Sequence, residues 1–585
     1  MKALITFLLA ASIALAGCGP ANSSALLAVS ASRIVLTGSV TIDKPGTYTL
    51  SGEINNGQIL INAGKDDEVV LILEGVTVRN QDGPALYAKK AGSVVITLTE
   101  GTVNRLEDGI SYTNSTDEDA PSAALFVQND LLINGSGSLE VAGNYKNGIH
   151  AKDALVIEGG AIAVKAANDG LRGGDSILVT GGAISIESVN DGIKSNNTDE
   201  GKGHITLEGG TFSIKAGQDG IQAESVLSIG GGSFGIVTGG GAGTSGGAGT
   251  SGGAGTSGGA AEAPPRRNER GWGAGAPDAP VPGAPESETE SAKAIKAGQE
   301  LTITGGTFTI DAKDDAFHSN GTLTVEDGTF MVKTGDDAFH ADDTLLIKDG
   351  ALDIAQCFEG LEASAVEISG GDVNINADDD AINAAGDGGT RPYARITGGV
   401  VSAVARGDGI DSNGDLYLEG GVLNISGPSQ GMEGAMDFDG SFIVTGGTAI
   451  AAGSALMPSG ESTQPVLLLA HSVPRAAGTA IALKDSAQNT LLEYKSEVSY
   501  TTSVMTSPKM KTGETYGVYL DGQKLTDVTL SAVITSVTDD GSPYTIRGFG
   551  GGFGGGRGGG FRNNAPPNDV PPADAPPADG AKRTF

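Results

Sequence analysis

Apolar and polar residues alternate in short runs along most of the chain, and glycine-containing turns separate the runs. Between Lys313 and Ala384 the pattern restarts at fixed intervals: an acidic residue, a small one, an apolar one, then two alternating runs split by a Gly turn. The acidic positions are Asp315, Asp337, Glu359 and Asp380, at steps of 22, 22 and 21 residues. Period-2 alternation predicts strands with one buried face. A repeat this short suits one coil of a β-solenoid better than a helical hairpin. Such a coil cannot bury its own apolar face, so coils must stack. Parallel crossovers are right-handed in about 98% of cases. The expectation is an all-β chain folded as a right-handed parallel β-helix.

The same column reads Asp108, Asn147, Asp169, Asp191 and Asp219 upstream, then Lys293, and Asp408 and Gln430 downstream. The predicted boundaries are a signal peptide at 1–17, a linker at 18–30 and a β-helix over 31–452. A disordered insertion at 239–290 interrupts it, including Trp272, the only tryptophan. Beyond 453 the period is lost. A small β-domain is expected over 453–545, followed by a disordered Gly- and Pro-rich tail over 546–585.

Stacking predicts chemistry. Equivalent residues of successive coils lie roughly 4.8 Å apart. Ionised carboxylates at that spacing repel by about 1 kcal/mol in water and more near protein. Asp314, Asp336 and Asp379 flank the column and Asp342 and Asp343 follow it. Together with Asp315, Asp337, Glu359 and Asp380 they form the expected cation site, and Ca²⁺ suits an all-oxygen donor set. Three positions after each acid stand Arg172, Lys194, Gln222, Lys296, His318, His340, Glu362, Asn383, Asp411 and Glu433. Acids therefore have basic neighbours early in the chain and acidic or polar ones later. The competing reading makes the column a run of solvated turns, each Asp capping its own backbone. His318 and His340 are expected to hydrogen-bond rather than bind Ca²⁺.

Net charge, −34, argues against nucleic acid as a partner. A short apolar run ending Leu15-Ala16-Gly17-Cys18 has the shape of a secretory signal. Small residues before Cys18 resemble a bacterial lipoprotein box. That resemblance implies lipidation of Cys18 and an extracytoplasmic, membrane-anchored place in the cell envelope. Cys357 then has no disulfide partner, and a monomer is expected.

The segments NDGIKSNN at 190–197, SAKAIKAG at 291–298, DDAFHSNG at 314–321 and SPKMKTGETY at 507–516 carry a wider resemblance. The chain is similar to bacterial carbohydrate-binding β-helix lipoproteins typified by a clostridial cellulose- and polygalacturonate-binding protein. The resemblance implies a right-handed β-helix that binds Ca²⁺ and acidic polysaccharide. It also implies kinship to pectate lyases without established lyase activity. Ala294 departs from the Gly expected in its coil.

Three functions follow. A binding protein would hold acidic polysaccharide through Ca²⁺. A polysaccharide lyase would abstract a Ca²⁺-acidified proton with Lys194 or Lys296 as base. A structural adhesin would use ions only as stiffeners. Aromatic residues are 5% of the chain, which gives little support to a stacking platform for neutral cellulose.

Overall fold

The computed structural model describes residues 32–113, 120–244, 291–386, 391–429, 433–454 and 461–544. The expectations at Cys18, the leader, Trp272, most of 239–290, Gln430 and the tail lie outside these residues. Among the described residues there is no α-helix, and no helix is long and apolar enough to cross a membrane.

The described residues are all-β, with 44 strands joined in one large, mostly parallel sheet and four in a smaller antiparallel one. Up to Thr448–Gly453, strands of the large sheet pair in parallel with the strand one course further along. Ile149 faces Leu171, Leu171 faces Ile193 and Ile193 faces Ile221 in unbroken register. Strands such as Ala161–Ala166, Ala183–Ser188 and Thr211–Ala216 alternate exposed and buried positions throughout. Every apolar residue of one parity therefore reaches the core, as period-2 alternation requires.

The register passes straight over residues 245–290. Ile221 faces Ile295, Leu227 faces Leu301 and Phe234 faces Phe308, as if the two segments were consecutive. Ala294 is fully buried, and its N–H donates to the Asp315 carbonyl at 2.9 Å. The methyl group in place of the expected glycine is absorbed without loss of pairing. Phe212, Phe234, Phe308 and Phe330 stack in the core at centroid spacings of 4.7, 4.8 and 4.8 Å, their ring planes nearly parallel.

At the C-terminal end the parallel edge is closed by an antiparallel partner. Strand Thr448–Gly453 pairs in parallel with Val422–Ser426 on one side and antiparallel with Tyr500–Thr506 on the other. An open edge of unpaired N–H and C=O groups is thereby removed. Leu467, Leu469 and Met505 from this end pack with Ile481, Leu483 and Val518 of the small sheet into one core.

A buried polar latch ties these strands. His471 Nδ1 lies 2.8 Å from Asp539 Oδ1 and its Nε2 lies 3.1 Å from Ser503 Oγ. Arg475 Nη2 donates to Asp539 Oδ2 at 2.7 Å. Burial lowers the His471 pKa below its ordinary 6.5, outweighing the Asp539 bond. The unfolded chain then binds a proton that the folded one refuses. Stability from this group is present above about pH 6.5 and is lost as pH falls below it. The melting temperature of the native chain should drop more between pH 7.5 and 5.5 than that of His471→Gln; equal drops would remove the latch as a pH-sensitive element.

Candidate functional site

The acidic column is built by the residue that follows each acid. A Cβ at Gly170 would lie 2.4 Å from Ile186 Cγ2 and 2.6 Å from the Gly192 carbonyl. The backbone there packs directly against its neighbours, and the acid before it is drawn inward. Asp169, Asp191, Asp219 and Asp315 are each 2% exposed. This corrects the picture of solvated turns capping their own backbone. One carboxylate oxygen of each acid instead accepts an N–H from the next course. Asp191 Oδ1 accepts from Asp219 N at 3.0 Å and Asp219 Oδ1 from Lys293 N at 2.9 Å. Asp315 Oδ1 accepts from Asp337 N at 3.3 Å, and Asp408 Oδ1 from Gly434 N.

The second oxygen meets the residue three positions on. Arg172 Nη1 is 3.1 Å from Asp169 Oδ2 and Lys194 Nζ 2.6 Å from Asp191 Oδ2. At Asp219 the residue three on is Gln222, and Lys296 of the next course instead places its Nζ 4.0 Å from Asp219 Oδ2. Lys194 and Lys296, the two lyase-base candidates, are thus held as ion-pair partners of buried carboxylates. Lys293 Nζ donates to Asp315 Oδ2 at 2.6 Å and Asp314 Oδ1 at 3.1 Å. His318 Nδ1 lies 2.8 Å from the same Asp315 oxygen. Burial opposes the Lys293 charge, yet Asp315 and Asp314 raise its pKa. Burial likewise works against the Asp315 carboxylate, but His318 and Lys293 hold its pKa well below the ordinary value. An ammonium is therefore already held by Asp314 and Asp315, which with Asp336 place ligand oxygens within 4.8 Å of one another.

The balance changes at Asp337. His340 Nδ1 lies 3.1 Å from Asp337 Oδ2 and 2.6 Å from Glu362 Oε2. His340 is pushed up to about 11, its bonds to Asp337 and Glu362 outweighing burial. Asp337 is raised by burial beyond what its His340 bond offsets. Beyond this course no Lys, Arg or His stands in the facing column. Burial, reinforced by neighbouring carboxylates, pushes Glu359, Asp380 and Asp408 each up to about 8.

Asp408, Asp411 and Asp437 place ligand oxygens within 4.8 Å of one another. Beside them Asn383 faces Asp411 in register. Its amide donates to Glu359 Oε2 at 2.8 Å, while its Oδ1 is buried and has no hydrogen-bond partner. The remaining expected ligands, Asp342, Asp343, Glu359, Asp379 and Asp380, fall in none of the compact metal-sized groups among the described residues. Asp342 and Asp343 are exposed, and Asp342 Oδ1 lies 3.2 Å from His340 Nε2. The Asp408–Asp411–Asp437 group was absent from the expected ligand set. Its signal was the Asp408-x-x-Asp411 spacing, completed only by a residue past the last regular repeat.

Residues 37–338 and 337–464 match the family of carbohydrate-binding domain-containing proteins. A carbohydrate-binding domain-containing protein of Acetivibrio thermocellus is 43% identical over 128 residues. That match covers 22% of this chain and 45% of the relative, so the chain spans less than half of that protein's length. A solved polysaccharide lyase-like protein from C. thermocellum, a gadolinium derivative, is 41% identical. It aligns over 34% of this chain and 82% of its own, with a TM-score of 0.34.

Proposed function

The chain belongs to the family of carbohydrate-binding domain-containing proteins, and from that premise we propose that it holds acidic polysaccharide at the cell envelope through bridging Ca²⁺. The observation that carries this reading is the change in the acidic column. From Asp169 to Asp315 each buried carboxylate of the column has a cation of the chain's own, whereas Asp380 and Asp408 face Asn383, Asp411 and Glu433.

The donor set there fits a hard cation. Ca²⁺ takes oxygens at about 2.3–2.6 Å, so two ligands on one ion lie no further apart than about 5 Å. The Asp408, Asp411 and Asp437 oxygens meet that limit. The orphaned Asn383 Oδ1 adds a neutral acceptor, an uncommon thing to bury without a partner. An ion held by these residues keeps coordination positions for a sugar carboxylate, which a chain at −34 would otherwise repel.

In this reading the repeated courses wind as a right-handed parallel β-helix, the hand that parallel crossovers favour. A left-handed crossover in a crystal structure would overturn that part. Lipidation at Cys18 supplies the anchor, and a mass spectrum of the mature N-terminus decides it.

The test is retention of the full chain on immobilised polygalacturonate with Ca²⁺ and with chelator. Retention should require Ca²⁺ and should be lost in Asp408→Asn/Asp437→Asn. Retention unchanged by chelator would overturn the bridging mechanism. Release of unsaturated oligomers would favour the lyase instead.

A further inference from the structure

A groove of about 490 Å³ runs across the courses from Gly143 to Gly240, next to the half of the acidic column that carries its own cations. Its floor is formed by small residues, with Gly143, Ala166, Ser188 and Ala216 at successive levels. Ile110, 84% exposed, and Val189, 63% exposed, stand on its rim. A single exposed aliphatic residue is ordinary. Two on the lip of one concavity form an apolar surface against which the C–H face of a pyranose ring can lie.

The wall is charged in an unusual sense for this protein. Lys165, Glu187 and Lys215 occupy one outward column, facing each other in register. Lys165 Nζ is 3.0 Å from Glu187 Oε2, and both side chains are largely in solvent. Lys215 faces the same Glu187 from the other side in register, so the two lysines stand two courses apart, roughly 10 Å along the stack. At the N-terminal end Lys146 Nζ lies 5.1 Å over the Tyr145 ring, which stacks on Tyr112 at 4.2 Å. A locally cationic groove in a chain of net charge −34 is complementary to an anion, and the small-residue floor and apolar rim suit a ring rather than a bare phosphate.

We propose that this groove is a second saccharide subsite, independent of divalent cations, in which Lys165 and Lys215 bind the carboxylates of a short uronate run directly. The inference rests on the acidic-polysaccharide reading above and adds where the sugar lies and what contacts it. The uronate chain runs along the stack of courses. It meets lysines over residues 143–240 and bridging ions further on.

Calorimetry of the full chain with tetragalacturonate in excess chelator tests it. Binding should be detectable without Ca²⁺ and should weaken with rising salt. It should fall roughly tenfold or more in Lys165→Ala/Lys215→Ala, the loss of one or two charge-assisted hydrogen bonds. Lys165→Arg/Lys215→Arg should retain it. Absence of binding in chelator alongside Ca²⁺-dependent retention on polygalacturonate would overturn the groove and leave the proposed function standing. No retention under either condition would overturn both. Equal affinity for cellotetraose would overturn the role of the lysines.

Discussion

Lys293→Met is expected to destabilise the protein by about 3–5 kcal/mol in chelator, the usual result of stranding a buried charge by deleting its partner. The Lys293 and Asp315 side chains are 14% and 3% exposed, so little water replaces the ammonium. The carboxylate keeps its backbone bond from Asp337 and its contact with His318, and loses its only lysine. Two further measurements separate this mechanism from lost packing. Lys293→Met/Asp315→Asn should recover much of the loss, because the stranded charge is gone. Millimolar Ca²⁺ should also restabilise Lys293→Met, because the ammonium no longer occupies the space beside Asp314 and Asp315, which with Asp336 offer three oxygens within 4.8 Å. Denaturant midpoints decide both. A single variant within about 1 kcal/mol of the native chain would mean that the Asp315 charge is already borne by His318.

This prediction explains why the expected cation site and the favoured one differ. The repeat of Asp315, Asp337, Glu359 and Asp380 was legible from spacing, and so was the presence of Lys293 in the same column. Spacing does not say which way a turn residue points. Alternation assigns faces only within strands, and each acid stands just before one. Its burial follows from the small residue after it, whose backbone packs against the next course at Gly170 and its equivalents. Once the acid is buried, the identity of its neighbour decides between an internal ion pair and an acquired ion. Arg172, Lys194 and Lys293 make that choice early in the chain, and Asn383 and Asp411 make it later.

Other features were hidden for a different reason. Asp437 joins Asp408 and Asp411 from a segment with no repeat to align it. Glu187 and the lysines beside it are ordinary outward residues of three strands, and only stacking them in register makes a wall. The Tyr393–Arg395–Tyr417 cluster, with the guanidinium 4.3 Å over the Tyr417 ring, likewise assembles from two courses. Low aromatic content argues against a stacking platform in general and says nothing about where the few tyrosines meet.

Phe308→Ala should cost about 3–5 kcal/mol, the range for emptying a buried aromatic site. Phe308 is fully buried and stacks on both faces, 4.8 Å from Phe234 and 4.8 Å from Phe330, with Phe317 edge-on at 5.5 Å. Phe212 has one parallel-stacked neighbour, so Phe212→Ala should cost less. Position in the chain matters as much as contact area. Phe234 precedes residues 245–290 and Phe308 follows them, so this pair holds together courses that are consecutive in space and distant in sequence. Stacked repeats share stability through nearest-neighbour interfaces. Weakening this interface should therefore let the courses before and after it unfold at separate denaturant concentrations, where the native chain unfolds more cooperatively. Phe330→Ala, at a junction of ordinary spacing, should lower the midpoint without splitting the transition. If both variants shift one common transition by the same amount, the junction is no weaker than any other and the stacked rings act only as core volume.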